Sequence, residues 1–377
     1  MSTTSMLTSN ALAVKLWSKK AYLDMYKSTS FGRAMSRGTI MKAEELNTAK
    51  AGDQVTFNFT GILTGQGVGE GGTLVGNEEA LNLSSYAMTI GMFRHGVNNP
   101  NTDTIEQQRT YVPFEKEARD LLPEYHAARL DAGMFNQLAG VNSTTITIDG
   151  TTYAGGNRTF VQGLNTIVAP STNRIVRAGG ETTDEGLGST ETMTLDLIDA
   201  AVELAATTYP TIRPLDNQEF DLYLHPYQIL DLKRDVSGKI QWYINAIGAA
   251  AGGDSSQITD TTVLGQKPMG KYANVNILSS YRVSNGQNSS TSAAITTVKR
   301  GVLCGKNACA FGSPWGGTID DEDVPFKFFT QLQDYDYYKG IEARMLYGLK
   351  KIQMTSAGNT EDLGSVVIST YAAAHTS

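Results

Sequence analysis

Residues 53–63, DQVTFNFTGIL, and residues 86–92, YAMTIGM, decide the fold. Val55, Phe57, Phe59 and Leu63 alternate with Thr56, Asn58, Thr60 and Ile62; Tyr86, Met88, Ile90 and Met92 alternate with smaller or polar residues. Period two is the signature of strands with one apolar face. Between them lie the 17 residues Thr64–Ala80, which include Gly65, Gly67, Gly69, Gly71, Gly72 and Gly76. That is too long and too glycine-rich for a tight hairpin turn. The reading is a β finger with strands roughly 30 Å long and a pliable tip. A lone two-stranded ribbon of that size is marginal in water, so something else must cover its apolar side. The expectation is a neighbouring copy of the chain, with Val55, Phe57, Phe59, Leu63, Tyr86, Met88 and Ile90 as the inter-subunit side chains.

Upstream, a helical pattern runs from Ser9 to Lys27 with Leu12, Leu16 and Leu23 on one stripe, and Ser28–Gly38 reads as an extended linker. Residues 1–43 carry seven cations (Lys15, Lys19, Lys20, Lys27, Arg33, Arg37, Lys42) against Asp24, a net +6 on a chain whose total is −7. A basic arm therefore precedes an acidic body. Such an arm could touch anionic nucleic acid or lipid, or pair with an acidic neighbour, but its charges are read first as solvated. Downstream, a helical rod runs from about residue 104 to Ala139, interrupted at Pro113 and Pro123, with Tyr125, Ala128, Ala132, Phe135 and Leu138 on one stripe and Gly140 as C-cap.

Residues 141–192 form a β-rich insertion in which Asp149-Gly150 signals a two-residue hairpin. A helix over Thr194–Thr207, a strand over Phe220–Leu224 and a helix from Pro226 to Gly238 follow. Strand-rich stretches at 274–283, 296–311, 325–335, 341–354 and 366–371 complete a mixed α+β chain.

The 377 residues suffice for two or three domains. Charged residues are only 18%, and the acidic balance speaks against a dedicated nucleic-acid binder. Sites for chemistry are weak. Gly67-x-Gly69-x-x-Gly72 opens no helix, so it is a finger tip and not a dinucleotide loop. Gly265–Tyr272 resembles a phosphate loop, but Tyr272 stands where a magnesium-binding hydroxyl belongs, leaving a surface turn before a strand. Cys304 and Cys309 lack further ligands and read as buried thiols in a chain kept in a reducing cytoplasm. His95, His126, His225 and His375 show no ligand spacing; His225, before Pro226 at a strand-to-helix corner, is the one best placed for chemistry. Asp320–Asp323 lacks calcium-loop spacing and reads as a solvated turn. No cofactor, metal or catalytic residue is expected. Nor is a membrane span, since no apolar run approaches the length needed.

Arm, finger, rod and mixed domains present surfaces that one copy does not bury, and symmetric association would cover them identically at every copy. Here the sequence resembles the major capsid proteins of tailed phages, in the podovirus branch with a large virion RNA polymerase. The likeness rests on Lys42-Ala-Glu-Glu-Leu46, Ala51-Gly-Asp-Gln-Val-Thr-Phe57, Gly72-Thr-Leu-Val-Gly-Asn-Glu-Glu-Ala80, Leu224-His-Pro226 and Tyr347-Gly-Leu-Lys-Lys351. It implies an α+β chain of the Hong Kong 97-type fold. The N-terminal arm would be 1–36, the extended loop and flanks 37–100, and the peripheral domain with spine helix and insertion 101–193. An axial domain over 194–314 and returning peripheral strands over 315–377 would follow.

The resemblance further implies self-assembly in hexamers and pentamers into a shell around double-stranded DNA, touched weakly and non-specifically, in a virion assembled in the host cytoplasm. Portal, scaffolding or decoration proteins are the other partners it suggests. An encapsulin-like nanocompartment shell and a cytoplasmic nucleotide-binding enzyme built on Gly265–Lys271 are the alternatives.

Overall fold

The structure, a computed structural model, describes residues 29–42, 54–60, 66–78, 83–99, 114–235, 269–313, 326–333, 338–356 and 359–374. The arm helix expected over 9–27, the start of the rod, Leu63 and the acidic turn lie outside these residues.

The expected linker after Ser28 is instead a helix, α1 (Ser30–Ser36). The Thr29 hydroxyl caps it by accepting from the Gly32 N–H at 3.1 Å, and its Phe31 and Ala34 are buried. Seven residues would not hold a helix in water alone; packing does it here. The chain continues as β1 (Ile40–Lys42), then β2 (Gln54–Thr60), β3 (Leu83–Thr89) and β4 (Gly91–Asn99).

The spine is α2 (Phe114–Ala139), 26 residues with Pro123 inside it, so this proline does not end the helix. Gly140, at φ 64°, closes it as a Schellman cap: its N–H donates to Gln137 and that of Val141 to Asn136. From His126 to Ala139 every residue is buried, because both sheets and the insertion pack around this half. The insertion opens with β5 (Thr145–Ile148) and β6 (Thr151–Ala154). They are joined by Asp149 (φ 48°) and Gly150 (φ 79°), the positive-φ pair of a type I′ turn, as the sequence predicts. Ile146 and Ile148 pack on Ala132 of the spine.

Next come β7 (Ile175–Arg177), α3 (Leu195–Thr207), β8 (Phe220–Leu224) and α4 (Pro226–Arg234). The α3 carbonyl end is capped by Arg174, fully buried, which donates to Leu204 and Thr208 at 3.1 Å and to Pro210. Then follow β9 (Gly270–Tyr272), β10 (Val275–Ser279), β11 (Asn285–Gln287), β12 (Ala294–Cys304), β13 (Cys309–Gly312) and β14 (Phe326–Gln333). The last strands are β15 (Tyr338–Lys351), β16 (Gln353–Ser356), β17 (Asn359–Asp362) and β18 (Ser365–Tyr371).

Two sheets share the spine. In the first, the long β15 pairs with β14 and β4 along its first half and with β13 along its second, and β1 adds to β13 in parallel. Phe93, Phe328, Ile341, Ala343 and Met345 project from one side of it into a core with Leu122, Leu130 and Met134 of α2. The second sheet runs β7-β18-β12-β8-β10-β9, with β11 on β12. One face packs on α3 and α4 through Leu222, Leu224, Ile277, Leu303 and Ile368. The other sets Tyr223 edge-on to Phe135 of the spine at 5.5 Å.

Sheet membership cuts across the expected boundaries in three places. β18, expected among the returning strands, lies between β7 and β12 in the second sheet. β7, expected with the peripheral segment, is in that sheet too, while β13, expected in the axial segment, is in the first. These pairings are far apart in sequence, and short apolar runs carry no label for the sheet they will join.

Candidate assembly surface

The finger exists as an antiparallel pair. β2 and β3 register Gln54 with Thr89, Phe57 with Tyr86 and Thr60 with Leu83. The second strand of the expected hairpin is nevertheless two strands. At Ile90 the chain leaves β2, and β4 pairs with β15 instead.

That break bears on two of the expected inter-subunit side chains. Met88 and Ile90 are wholly buried inside the subunit. Met88 packs with Ala310 and Ile352, with Phe57, Met41 and Leu363 around them; Val55 and Phe57 pack on Ile90. The Tyr86 hydroxyl donates to the Lys351 carbonyl, and burial pushes its phenol pKa up. Lys350 lies 4.4 Å over the Tyr86 ring and donates to the Ala87 carbonyl at 2.7 Å. Met88 and Ile90 therefore root the finger on its own body, while Val55, Phe57 and Tyr86 touch that body and remain half-buried. The Phe59 side chain and all of Leu63 lie outside the described residues.

Residues that alternation could not reveal complete the root. Asn165, from the insertion, exchanges two hydrogen bonds of 2.9 Å with the backbone of Thr89. Gly348 lets β15 approach so closely that a Cβ there would stand 2.4 Å from the Thr89 carbonyl oxygen. The only sequence signal was the glycine inside Tyr347–Lys351.

The tip behaves differently. Every residue from Gln66 to Glu78 is exposed, including Leu74 at 60% and Val75 at 80%. Gly67, Gly71 and Gly76 take φ between 68° and 90°, conformations that side chains with a Cβ resist. Short turns shape it, with Gly72 N–H to Gly69 and Asn77 N–H to Leu74. The tip thus carries an apolar pair that its own subunit leaves exposed.

Charged clamps hold the frame that carries the finger. Arg33 of α1 forks onto Asp221 of β8 at 3.0 and 3.3 Å, and Arg37 reaches Glu219 at 3.0 Å. Asn276 and Lys271 complete this network at 2.7–3.1 Å. Burial alone would raise the Glu219 carboxyl, but bonds from Lys271, Asn276 and Arg37 hold it below the usual range. Two of the seven arm cations are thus ties to the chain's own body, Arg33 buried and Arg37 half-buried. At the other end of α1, Asp131 of the spine accepts from the Phe31 N–H at 2.7 Å and pairs with Arg282 at 3.3 Å. Its full burial raises its pKa to about 6.

Asp184, in the insertion, joins four segments. Its carboxylate accepts from Arg300 (2.7 Å), Arg177 (3.0 Å), Ser369 (3.0 Å) and the Gln287 N–H (3.0 Å). Arg300 also donates to the spine's last carbonyl, Ala139, at 3.0 Å. Burial pushes the Asp184 pKa up, but Arg300 and the other donors outweigh it and hold the pKa low. Beside the finger root, Lys351 and Asp362 pair at 2.9 Å in full burial, with Gln353 on the other oxygen. Burial drives both toward their neutral forms, the amine down and the carboxyl up.

Of the sites weighed for chemistry, Asp320–Asp323, most of the Gly265–Tyr272 stretch and His375 lie outside the described residues, and the others have these surroundings. His225 is a helix cap: its Nδ1 accepts from the Tyr227 N–H at 3.2 Å, and Gln228 accepts from the His225 N–H at 3.0 Å. His126 is buried edge-on to Phe93 at 4.7 Å, and Lys271 is tied to Glu219. Both thiols are buried. Among the described residues no group of three His, Cys, Asp or Glu side chains is placed to hold a metal. No described helix is long and apolar enough to cross a membrane.

Comparison with known proteins agrees along the whole chain. Residues 3–374 match the family model described as phage capsid protein. The major capsid protein of Pseudomonas phage KPP25 is 24% identical over 374 residues, covering 94% of this chain and 91% of that protein. The capsid of Ralstonia phage GP4 superposes over 100% of both chains with TM-score 0.73 at 20% identity. The cyanophage Pam1 capsid superposes over 89% of both chains with TM-score 0.58 at 19% identity. The fold is of the Hong Kong 97 type.

Proposed function

Because this chain belongs to the phage capsid protein family, we propose that its copies close, as hexamers and pentamers, into the icosahedral shell around the double-stranded DNA of a tailed phage. The observation that carries this reading is the finger tip. Leu74 and Val75 are held out on a finger whose root is spent on its own subunit. Burying each on a neighbour would gain about 1.5–3 kcal/mol. Repeated at every copy of a closed assembly, such small contacts sum to a durable container.

The work is mechanical: the subunit positions surfaces and moves no bond or proton. Net charge −7 suits weak, non-specific contact with packaged DNA. Portal, scaffolding or decoration proteins would meet the shell during assembly in the host cytoplasm. The finer placement in the podovirus branch with a large virion RNA polymerase rests on the sequence motifs alone.

Negative-stain electron microscopy of the purified chain tests the proposal, with round shells as the expected result. Deleting Thr64–Asn77 removes the tip and should leave a soluble subunit that forms none. Normal particles from the deletion would remove the finger from the mechanism; an intact chain that never assembles would overturn the shell itself.

A further inference from the structure

Two consecutive residues of the insertion grip the bend at which the finger joins the body. We propose that Leu164 and Asn165 are positioning residues that set the direction in which the finger leaves the subunit, and so where its tip is presented to a neighbour; this rests on the finger being an assembly element.

The bend is one residue long. Thr89 still pairs with Gln54 of β2, Gly91 already pairs with Tyr347 of β15, and Ile90 lies between them. A chain that changes partners at the end of a strand can swing there unless something outside both strands holds it. Asn165 holds the finger side: the Thr89 N–H donates to its Oδ1, and its Nδ2 donates to the Thr89 carbonyl, both at 2.9 Å. A single bond would leave a pivot. Two from one planar amide fix the angle of the Thr89 backbone as well as its place, as a paired strand would. Leu164 closes the body side, where a Cβ on Gly91 would stand 3.2 Å from its Cδ1. Its φ of 62° is a left-handed conformation that a leucine keeps only where its surroundings impose it.

The grip is itself anchored to the spine. Gln137, buried in α2, donates through Nε2 to the carbonyls of Gln162 at 2.6 Å and Asn165 at 3.1 Å, and its Oε1 accepts from the Lys351 N–H at 3.3 Å. Asn165 Nδ2 also donates to the Gly163 carbonyl at 3.1 Å, which accepts from the Leu349 N–H at 2.9 Å. The other contacts of the root act differently. Met88 packs on apolar neighbours, and such packing holds the finger down without choosing its heading. The bonds from Tyr86 and Lys350 come from the ends of long side chains. Heading matters because the finger is a lever: a swing of about 15° at Thr89 carries Leu83, about 20 Å along β3, sideways by about 5 Å. A tip displaced that far misses a side-chain contact on its neighbour.

The test uses the full chain, dilute and unassembled, with nitroxide spin labels on Ser85→Cys of β3 and Thr330→Cys of β14. Both positions are exposed, and the chain's own cysteines are buried. Pulsed electron paramagnetic resonance should give one narrow distribution of distances between the labels. Asn165→Ala removes both bonds to Thr89, and the distribution should widen about twofold or move by about 3 Å. Asn165→Asp keeps the size of the side chain but sets a carboxylate oxygen against the Thr89 and Gly163 carbonyls; it should loosen the finger equally, and it answers the question if the alanine variant does not fold. Ile277→Val trims the core between the second sheet and its helices, which lowers stability away from the root and should leave the distribution unchanged. An unchanged distribution in a folded Asn165 variant, or equal widening in Ile277→Val, overturns the proposal. The distances are read without a shell, so failure here leaves the assembly reading standing.

Discussion

Replacing Asp184 by Ala should be among the most damaging single changes in this subunit. The carboxylate is buried between Arg300 and Arg177 and ties the insertion to β11, β12 and β18. Removing one partner of a buried ion pair costs about 3–5 kcal/mol, because the other charge stays buried and unpaired. Arg300 is the charge so stranded, at 8% side-chain exposure, whereas Arg177, at 18%, turns more readily to water. The expected loss is about 4 kcal/mol, near a thousandfold in the folded-to-unfolded ratio.

Urea unfolding of the finger-deleted subunit, followed by circular dichroism, would measure this without interference from assembly. Pairing Asp184→Ala with Arg300→Met should recover at least half the loss, since an apolar pair leaves no charge behind. A single-variant loss below about 1 kcal/mol, or a double variant as poor as the two single losses added together, would refute the reasoning. The pH sign follows from the same bonds. The folded-state pKa of Asp184 is depressed, so its contribution is complete above the unfolded value of 3.8 and disappears as pH falls through the folded one.

Three further outcomes are expected. Gly348→Ala places a Cβ against the Thr89 carbonyl; it should cost about 1–3 kcal/mol and reduce shell yield, measured by unfolding and by particle counts. His126 and His225 are held neutral by burial, with pKa values lowered to about 3 and about 4. Their contribution is present above the unfolded 6.5 and lost as pH falls toward those values, so His126→Phe should flatten the acid limb of the stability profile. Asp131 has the opposite sign: with its pKa raised to about 6, its contribution is greatest below 3.8 and declines as pH rises through 6. Asp131→Asn should remove that decline in a pH series of unfolding midpoints.

Period-two alternation found both finger strands because a strand with one buried face must alternate wherever it packs. The spine stripe, the Gly140 cap and the Asp149-Gly150 turn were legible for a similar reason: their signals are local and follow from backbone sterics. The covering of the finger was not legible. Met88 reads alike whether it meets a neighbour or Ala310 and Ile352 of its own chain. The short α1 was invisible too, since Phe31 and Ala34 form a helix only against a body already there.

The buried charges were least legible of all. Arg33 and Arg37 count as two arm cations in composition, yet their meaning lies in Asp221 and Glu219, far along the chain. The amino-acid sequence by itself determined the second half of the spine, the glycine-tipped finger and the capsid family, because each rests on neighbours within a few residues or on motifs spread along the chain. Only the tertiary structure decided which sheet β7, β13 and β18 join, and that the finger is rooted on its own subunit and free at its tip. Those outcomes depend on pairings whose partners are brought together by folding, and no local pattern records such a partner in advance.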